Sequence, residues 1–189
     1  MGFEYFPWGA GAKNKLNLQN PHSTFLERFY LLYGQIFVIV EILMNKRKLV
    51  AVLACRADST RLYAKPLQNL TKGKTILDQI LDTFEMFPST ISESILAVSE
   101  GVENLAYIDF AKRRGVKYLF GDKWDIMSRL INGGLITGAT DILRITSECP
   151  FMYWEKLKEV WRSHLDNNND VTTIDGCPLG TYFEIIKLK

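Results

Sequence analysis

Leu49 to Ala54 is an unbroken run of six apolar residues, and a loop carrying three cations follows it at once. That junction limits what the chain can fold into more than any other stretch. A short apolar run without alternation suits a strand covered on both faces, as in a parallel sheet lying beneath helices. In the loop, Arg56, Arg61 and Lys65 fall within ten residues, and Ser59 and Thr60 add hydroxyl donors. Open α/β sheets place their ligand crevice beyond the carboxyl ends of the strands, so such a loop can surround a polyanion. The plain alternative is a solvated, charged surface loop.

Beyond the loop, helix and strand signals alternate. Ile76, Leu77, Ile80, Leu81 and Phe84 recur at three- and four-residue spacing, which predicts an amphipathic helix that Pro88 ends. Ser94 to Ser99 reads as a second buried strand, and Val102 to Arg114 as a second helix closed by Gly115 in a left-handed cap. Val116 to Phe120 is a third strand. Gly121 and Asp122 then turn the chain, and Asp125 caps a helix beginning with Ile126, Met127 and Leu130. Gly133-Gly134 and Gly138 are expected to loosen the end of that helix before a fourth strand, Asp141 to Thr146. Pro150 bars a continuing ladder, and Trp154, Leu157, Val160, Trp161 and Leu165 line one face of a fourth helix. Asp170 to Ile174 is a fifth strand, and Tyr182 to Leu188 a sixth or an edge. This alternation predicts a three-layer α/β/α fold with a mostly parallel sheet and right-handed crossovers.

At 189 residues the chain fits one domain, with room for a tail. A net charge of +2, with acids interspersed among the bases, gives no basic stripe, so no nucleic-acid partner is expected. The phosphates of a small ligand stay compatible with it. Cys55, Cys149 and Cys177 are odd in number, far apart and without a Cys-x-x-Cys pair, which implies neither a disulfide framework nor a zinc site. A reducing cytoplasm is the expected location.

Residues 1–43 read differently from the rest. Phe3, Tyr5, Phe6, Pro7 and Trp8 lead into Gly9, Gly11 and a polar stretch to Ser23 without a sustained period. Phe29 to Leu43 is then apolar apart from Gly34, Gln35 and Glu41, shorter than the roughly 20 residues a membrane helix needs. Signal-peptide features are missing. The segment is read as an N-terminal extension, either an extra helix packed on the domain or sequence upstream of a natural start at Met44. The domain then occupies 44–189, and no membrane anchor is expected.

In such a sheet the loops after the strands share one rim. Here the rim collects Arg56, Asp58, Ser59, Arg61 and Lys65 after the first strand, Ser99 and Glu100 after the second, Asp122 after the third, and Ser147 and Glu148 after the fourth. Cations facing a carboxylate across a crevice suit a phosphate chain with Mg²⁺, which takes one or two carboxylates and completes its shell with water and phosphate oxygens. Glu148 is the candidate metal ligand, its plain alternatives being a pair with Arg144 or a cap on the next helix. No Gly-x-x-x-x-Gly-Lys-Ser/Thr or Gly-x-Gly-x-x-Gly segment occurs, so neither a P-loop nor a dinucleotide site is supported. His164 sits among large apolar neighbours and reads as packing, and no Ser-His-Asp arrangement can be built at this rim. Catalysis would rest on charge stabilisation and alignment, as in phosphoryl transfer.

The stretch Cys55-Arg-Ala-Asp-Ser-Thr-Arg-Leu-Tyr-Ala-Lys-Pro-Leu67 resembles the first loop of the CMP-sugar synthetases, the cytidylyltransferases acting on acylneuraminates and 3-deoxy-manno-octulosonate. It is most similar to their spore-coat-polysaccharide (SpsF-like) branch, where Arg-x-x-Ser-x-Arg-Leu-Pro-x-Lys is usual. The resemblance continues through Gly73-Lys-Thr-Ile-Leu77, Ala97-Val-Ser-Glu100, Gly121-Asp-Lys-Trp-Asp-Ile-Met-Ser-Arg129 and Arg144-Ile-Thr-Ser-Glu-Cys-Pro150. These five blocks stand in the family's order and cover about Lys48 to Lys189.

The resemblance implies a nucleotide-diphospho-sugar transferase (Rossmann-like) fold that transfers CMP from CTP to an acidic sugar, releasing pyrophosphate, for surface polysaccharide. It implies that Arg56, Arg61 and Lys65, with Ser59 beside them, hold the triphosphate, Arg56 and Lys65 acting as the catalytic cations. The backbone at Ala54 and the region of Ser99 would lie near the nucleotide, and Asp122 and Arg129 would line the same pocket. Glu148 stands where the family carries an Asp that binds Mg²⁺. CTP and a sugar acid are the implied partners, and a homodimer the implied assembly. Tyr63-Ala64 replace the family's Pro-Gly, and Glu148 is one methylene longer than Asp. Tyr182 takes the place of an acidic residue, and family members extend past the point where this chain stops. A glycosyltransferase using a nucleotide-sugar is the first rival reading, although Asp122-Lys-Trp-Asp125 lacks the Asp-x-Asp spacing of that class. A binding module without turnover is the second.

Overall fold

Strand β1, Leu49–Cys55, is buried along its length apart from half-covered Ala54, as its unbroken apolar run requires of a strand flanked on both edges and both faces. The structure, a computed structural model, describes residues 47–59 and 61–188. The expected N-terminal extension, its apolar run at 29–43 and the Thr60 hydroxyl lie outside the described residues. After β1 come a short hairpin of β2 (Asn69–Thr71) and β3 (Lys74–Thr75), helix α1 (Ile76–Glu85), β4 (Glu93–Ser99), α2 (Leu105–Arg114) and β5 (Lys117–Gly121). The chain continues through α3 (Ile126–Ile136), β6 (Asp141–Thr146), α4 (Leu157–Asp166), β7 (Val171–Thr173) and β8 (Glu184–Lys187).

Six of the strands form one sheet in the order β5-β4-β1-β6-β8-β7. β1 runs parallel to β4 and β6, β4 runs parallel to β5, and β8 alone runs against its neighbours β6 and β7. The predicted α/β class with a mostly parallel sheet is therefore the observed one. The sixth strand is not an edge, since β8 is inserted between β6 and β7 and the edge falls to β7. Its alternation is weak because Ile185 is buried and Ile186 partly so, leaving no fully wet face.

The two faces of β1 feed two cores. Leu49, Ala51, Leu53 and Cys55 pack with Leu77 and Ile80 of α1, Tyr107 and Phe110 of α2 and Leu157 of α4. On the other face, Val50 and Val52 join Ile95, Ala97, Leu119, Ile142 and Leu130 of α3. Local signals place the helices: Thr75 and Asp78 form a capping box at α1, with Asp78 N–H donating to Thr75 Oγ1 at 3.1 Å. Asp125 Oδ1 accepts the Ser128 N–H at 2.9 Å to open α3.

Gly133 and Gly134 do not loosen α3, which runs through both. Their task is close approach, because a Cβ on Gly133 would lie 2.7 Å from Val52 Cγ1 and one on Gly134 2.6 Å from Ile142 Cγ2. Gly133→Val is expected to destabilise the fold by about 1–3 kcal/mol, the usual cost of overpacking a filled core, read as a lower urea midpoint at unchanged slope.

At the amino end of β6 the fold buries a charge. Asp141 and His164 are both fully inaccessible. The Asp141 carboxylate accepts from Arg47 Nε at 2.6 Å and from Arg47 Nη2, and from Thr140 Oγ1 at 2.6 Å. His164 Nε2 lies 3.0 Å from Asp141 Oδ1, and its Nδ1 lies 2.8 Å from Thr172 Oγ1. The imidazole stacks on Trp161 at 5.7 Å. Burial alone would push the Asp141 carboxyl up, but the hydrogen bonds from Arg47, Thr140 and His164 outweigh it and hold the group below the ordinary carboxylate range. Among the described residues no helix is long and apolar enough to cross a membrane.

Candidate functional site

The sheet order reverses at β1: the chain steps outward from β1 to β4 and β5, then returns to place β6 on the other edge of β1. Beyond the carboxyl ends of β1 and β6 the two exit loops diverge, and a crevice opens there. It is a cleft of about 300 Å³ lined by Ala54 at the end of β1 and Arg56 just after it, Ile126, Arg129 and Leu130 of α3, and residues 144–149 at the end of β6. Ser147 Oγ donates to the Ala54 carbonyl at 2.8 Å and ties the two strand ends together.

The first loop is held in place from beneath. Ala57 N–H donates to Asn104 Oδ1 at 2.7 Å, and Tyr107 Oη donates to the Arg56 carbonyl at 3.0 Å. Burial pushes the Tyr107 phenol well above its usual range, so it serves as a permanent donor. Lys123 Nζ lies 2.7 Å from Asp58 and fastens the loop to the one that follows β5. Sequence alone does not mark Asn104, Tyr107 and Lys123, because their partners, two backbone groups and the Asp58 carboxylate, lie far along the chain and no local pattern points to them.

Ala64 closes the loop by donating its N–H to the Ala57 carbonyl at 2.9 Å, with a left-handed φ of 44°. This is the position where the resembling family carries Gly. An Ala there costs on the order of 1 kcal/mol. Pro66 then starts a single 3₁₀ turn, Lys65–Leu67. From this turn Lys65 Nζ reaches Glu148 Oε2 at 3.1 Å. Glu148 therefore pairs neither with Arg144, which lies 2.5 Å from Glu184, nor with the next helix as a cap.

Arg129 lies at the base of the cleft and is only 1 % exposed. Its side chain crosses Gly121, where a Cβ would lie 2.5 Å from Arg129 Cγ. Nη1 donates to the carbonyls of Cys55 and Ala97, both at 3.2 Å, while Nε has no partner among the described residues. Among the described residues Arg129 makes no ion pair. Burial pulls its pKa down and nearby Arg56 adds to that, against the opposing pull of Cys55 and of the more distant Asp122 and Asp125 carboxylates, neither of which reaches ion-pair distance. A buried cation without a carboxylate is costly, and an anion brought to the cleft would relieve it. The neighbouring Cys55 thiol is pushed up to about 12 by burial, so it stays protonated and is no nucleophile.

The structure thus gathers Ala54, Arg56, Arg129 and Glu148 at one cleft, with Lys65 joined to it through Glu148. Ser147 of the expected rim also lines it, whereas Asp58 and Glu100 do not, and neither do four residues that the resemblance places at the nucleotide. Ser59 is half-buried and Arg61 exposed in the first loop. Ser99 is fully buried, its hydroxyl 3.4 Å from the Glu100 carbonyl. Asp122 Oδ1 accepts from the N–H groups of Trp124 and Asp125 at 2.7 and 2.8 Å, a turn that launches α3.

Among the described residues no three His, Cys, Asp or Glu side chains converge as a metal site. Glu148 offers one carboxylate at the cleft, which does not suit an ion held by protein alone. It fits Mg²⁺ arriving with phosphate oxygens and water as its other ligands.

No protein-family model matches the sequence, and no curated protein does. Similar solved structures do exist. A cytidylyltransferase from Leptospira borgpetersenii serovar Hardjo-bovis superposes with a TM-score of 0.64 at 23% identity, covering 75% of this chain and 61% of its own. CMP:2-keto-3-deoxy-manno-octonic acid synthetase, solved with CTP, gives 0.52 at 19% identity over 66% of this chain and 50% of its own. A 4-diphosphocytidyl-2C-methyl-D-erythritol synthase from Anaerococcus prevotii gives 0.50 at 15% identity, covering 75% and 70%. At these identities the likeness establishes the fold alone, the one these nucleotide-handling enzymes share. The chain spans about half to three fifths of the first two structures.

Proposed function

We propose that the cleft binds a metal-loaded nucleoside triphosphate and that the chain is a cytidylyltransferase-like nucleotidyltransferase, transferring CMP from CTP to an acidic sugar for surface polysaccharide. The observation that carries this reading is Arg129, a buried guanidinium with no ion-pair partner among the described residues, beneath a cleft that Arg56 and the Lys65–Glu148 pair share at the point where the strand order reverses. The fold likeness to a synthetase solved with CTP supports the choice of nucleotide. The domain is taken to be 44–189, with a reducing cytoplasm as its place of work.

In this reading the sugar hydroxyl attacks the α-phosphate and pyrophosphate leaves. Arg56 and Lys65 flank the phosphates from the first loop and offset the charge that builds on them in the transition state. Arg129 adds a fixed positive field from the base of the cleft. Glu148 would hold Mg²⁺, which when bound supplies charge neutralisation on the phosphate oxygens. Arg61, Ser59, Ser99 and Asp122 are retained as nucleotide-side residues on the resemblance alone.

A glycosyltransferase reading is less well supported, because Asp122 and Asp125 are occupied as a turn acceptor and a helix cap. The test is pyrophosphate release by purified protein with Mg²⁺, each of the four nucleoside triphosphates and a panel of sugar acids. Release with CTP and a sugar acid is expected. Binding without release would leave a nucleotide-binding module, and no binding of any triphosphate would overturn the reading.

A further inference from the structure

Lys65 and Glu148 are the two groups at this cleft with opposite charges and separate expected ligands, and they are bonded to each other at 3.1 Å. Their side chains are 41% and 39% exposed, so the bond is weak and can open readily. Each would nevertheless oppose the other's ligand when that ligand comes alone. A divalent cation at Glu148 meets the ammonium of Lys65, and a phosphate chain at Lys65 meets the carboxylate of Glu148. Only a ligand that brings both charges at once lets the order run carboxylate, cation, phosphate, ammonium, with every neighbour of opposite sign.

We propose that the Lys65–Glu148 pair is a latch that couples metal binding to phosphate binding, so that the cleft selects the assembled metal–nucleotide complex over either component. This rests on the reading of the cleft as a nucleotide site. The coupling is reciprocal: whatever factor the metal adds to nucleotide affinity, the nucleotide adds to metal affinity. It belongs to the pair as a unit, so losing either member should abolish it while helping one component. Removing Glu148 frees Lys65 for phosphate, and removing Lys65 frees Glu148 for the cation.

The experiment measures CTP binding by calorimetry in excess EDTA and at saturating Mg²⁺, and Mn²⁺ binding alone by electron paramagnetic resonance, for the wild type, Glu148→Gln and Lys65→Gln. In the wild type Mg²⁺ is expected to tighten CTP about tenfold, within the usual range of coupling between sites. Glu148→Gln should bind metal-free CTP about two- to fivefold tighter than wild type, the scale of a half-exposed ion pair, and lose the Mg²⁺ effect. Lys65→Gln should bind Mn²⁺ alone tighter by a similar factor. Thermal unfolding of both variants is expected to stay close to wild type and serves as the folding control. If wild type binds Mg²⁺–CTP but neither variant gains affinity for its component, the latch is overturned and the nucleotide site stands. If no protein binds CTP under either condition, both fall.

Discussion

Asp141→Ala is expected to cost the fold about 3 kcal/mol at neutral pH, the lower end of what breaking a buried ion pair by removing one partner costs. The lower end applies because Arg47 keeps 17% of its side-chain surface in water and can turn outward, whereas His164 cannot. For a domain of this size that is a fall of roughly 10 °C in the unfolding midpoint. The pH dependence carries a definite sign. The folded carboxyl is held below its unfolded value, so its contribution is complete above the pKa of an unfolded aspartate, about 3.9, and vanishes as the pH falls through the lower folded value. Melting curves of wild type and variant should therefore differ most near neutrality and converge on strong acidification. A difference that stays constant with pH would show that packing, rather than the carboxylate, is what the substitution removes.

Lys65→Ala is expected to lower pyrophosphate release about 10²- to 10³-fold, the loss seen when one preorganised donor to a developing charge is deleted. The same change should leave stability within about 1 kcal/mol, since the ion pair it breaks is half-exposed. The two readouts together separate a site residue from a structural one. Parallel losses of release and of thermal stability would make Lys65 a support for the loop and not a participant.

Those two residues sit at opposite ends of the sheet, and they differ in how far sequence could foresee them. The alternation of strands and helices was legible because each element buries a local pattern: the apolar run of β1, the spacing of Ile76 to Phe84, Asp125 as a cap and Gly115 with its φ of 64°. The order of the sheet was not, because pairing between β8 and β6 is a choice between distant segments that no local period encodes. Gly133-Gly134 misled for the same reason. A pair of glycines reads locally as slack, and only Val52 and Ile142 across the interface reveal that they make room.

At the site, the residue types were foreseen better than their partners. Arg144 and Glu148 are four apart and invite pairing, yet the end of β6 and its exit loop send Arg144 to Glu184 and Glu148 to Lys65. Arg129 was named only through a family motif. Its burial beneath the cleft depends on Gly121 leaving its path clear, a relation between two elements that appears only once β5 and α3 are in place.

The insertion of β8 between β6 and β7 bears on the order in which the chain can be completed during synthesis. β7 precedes β8, its one neighbour in the described sheet, and until residues 184–187 emerge its backbone has no described strand to pair with. The nascent chain must therefore carry β6 with one edge open and β7 unpaired. One late strand then seals both, much as a keystone closes an arch.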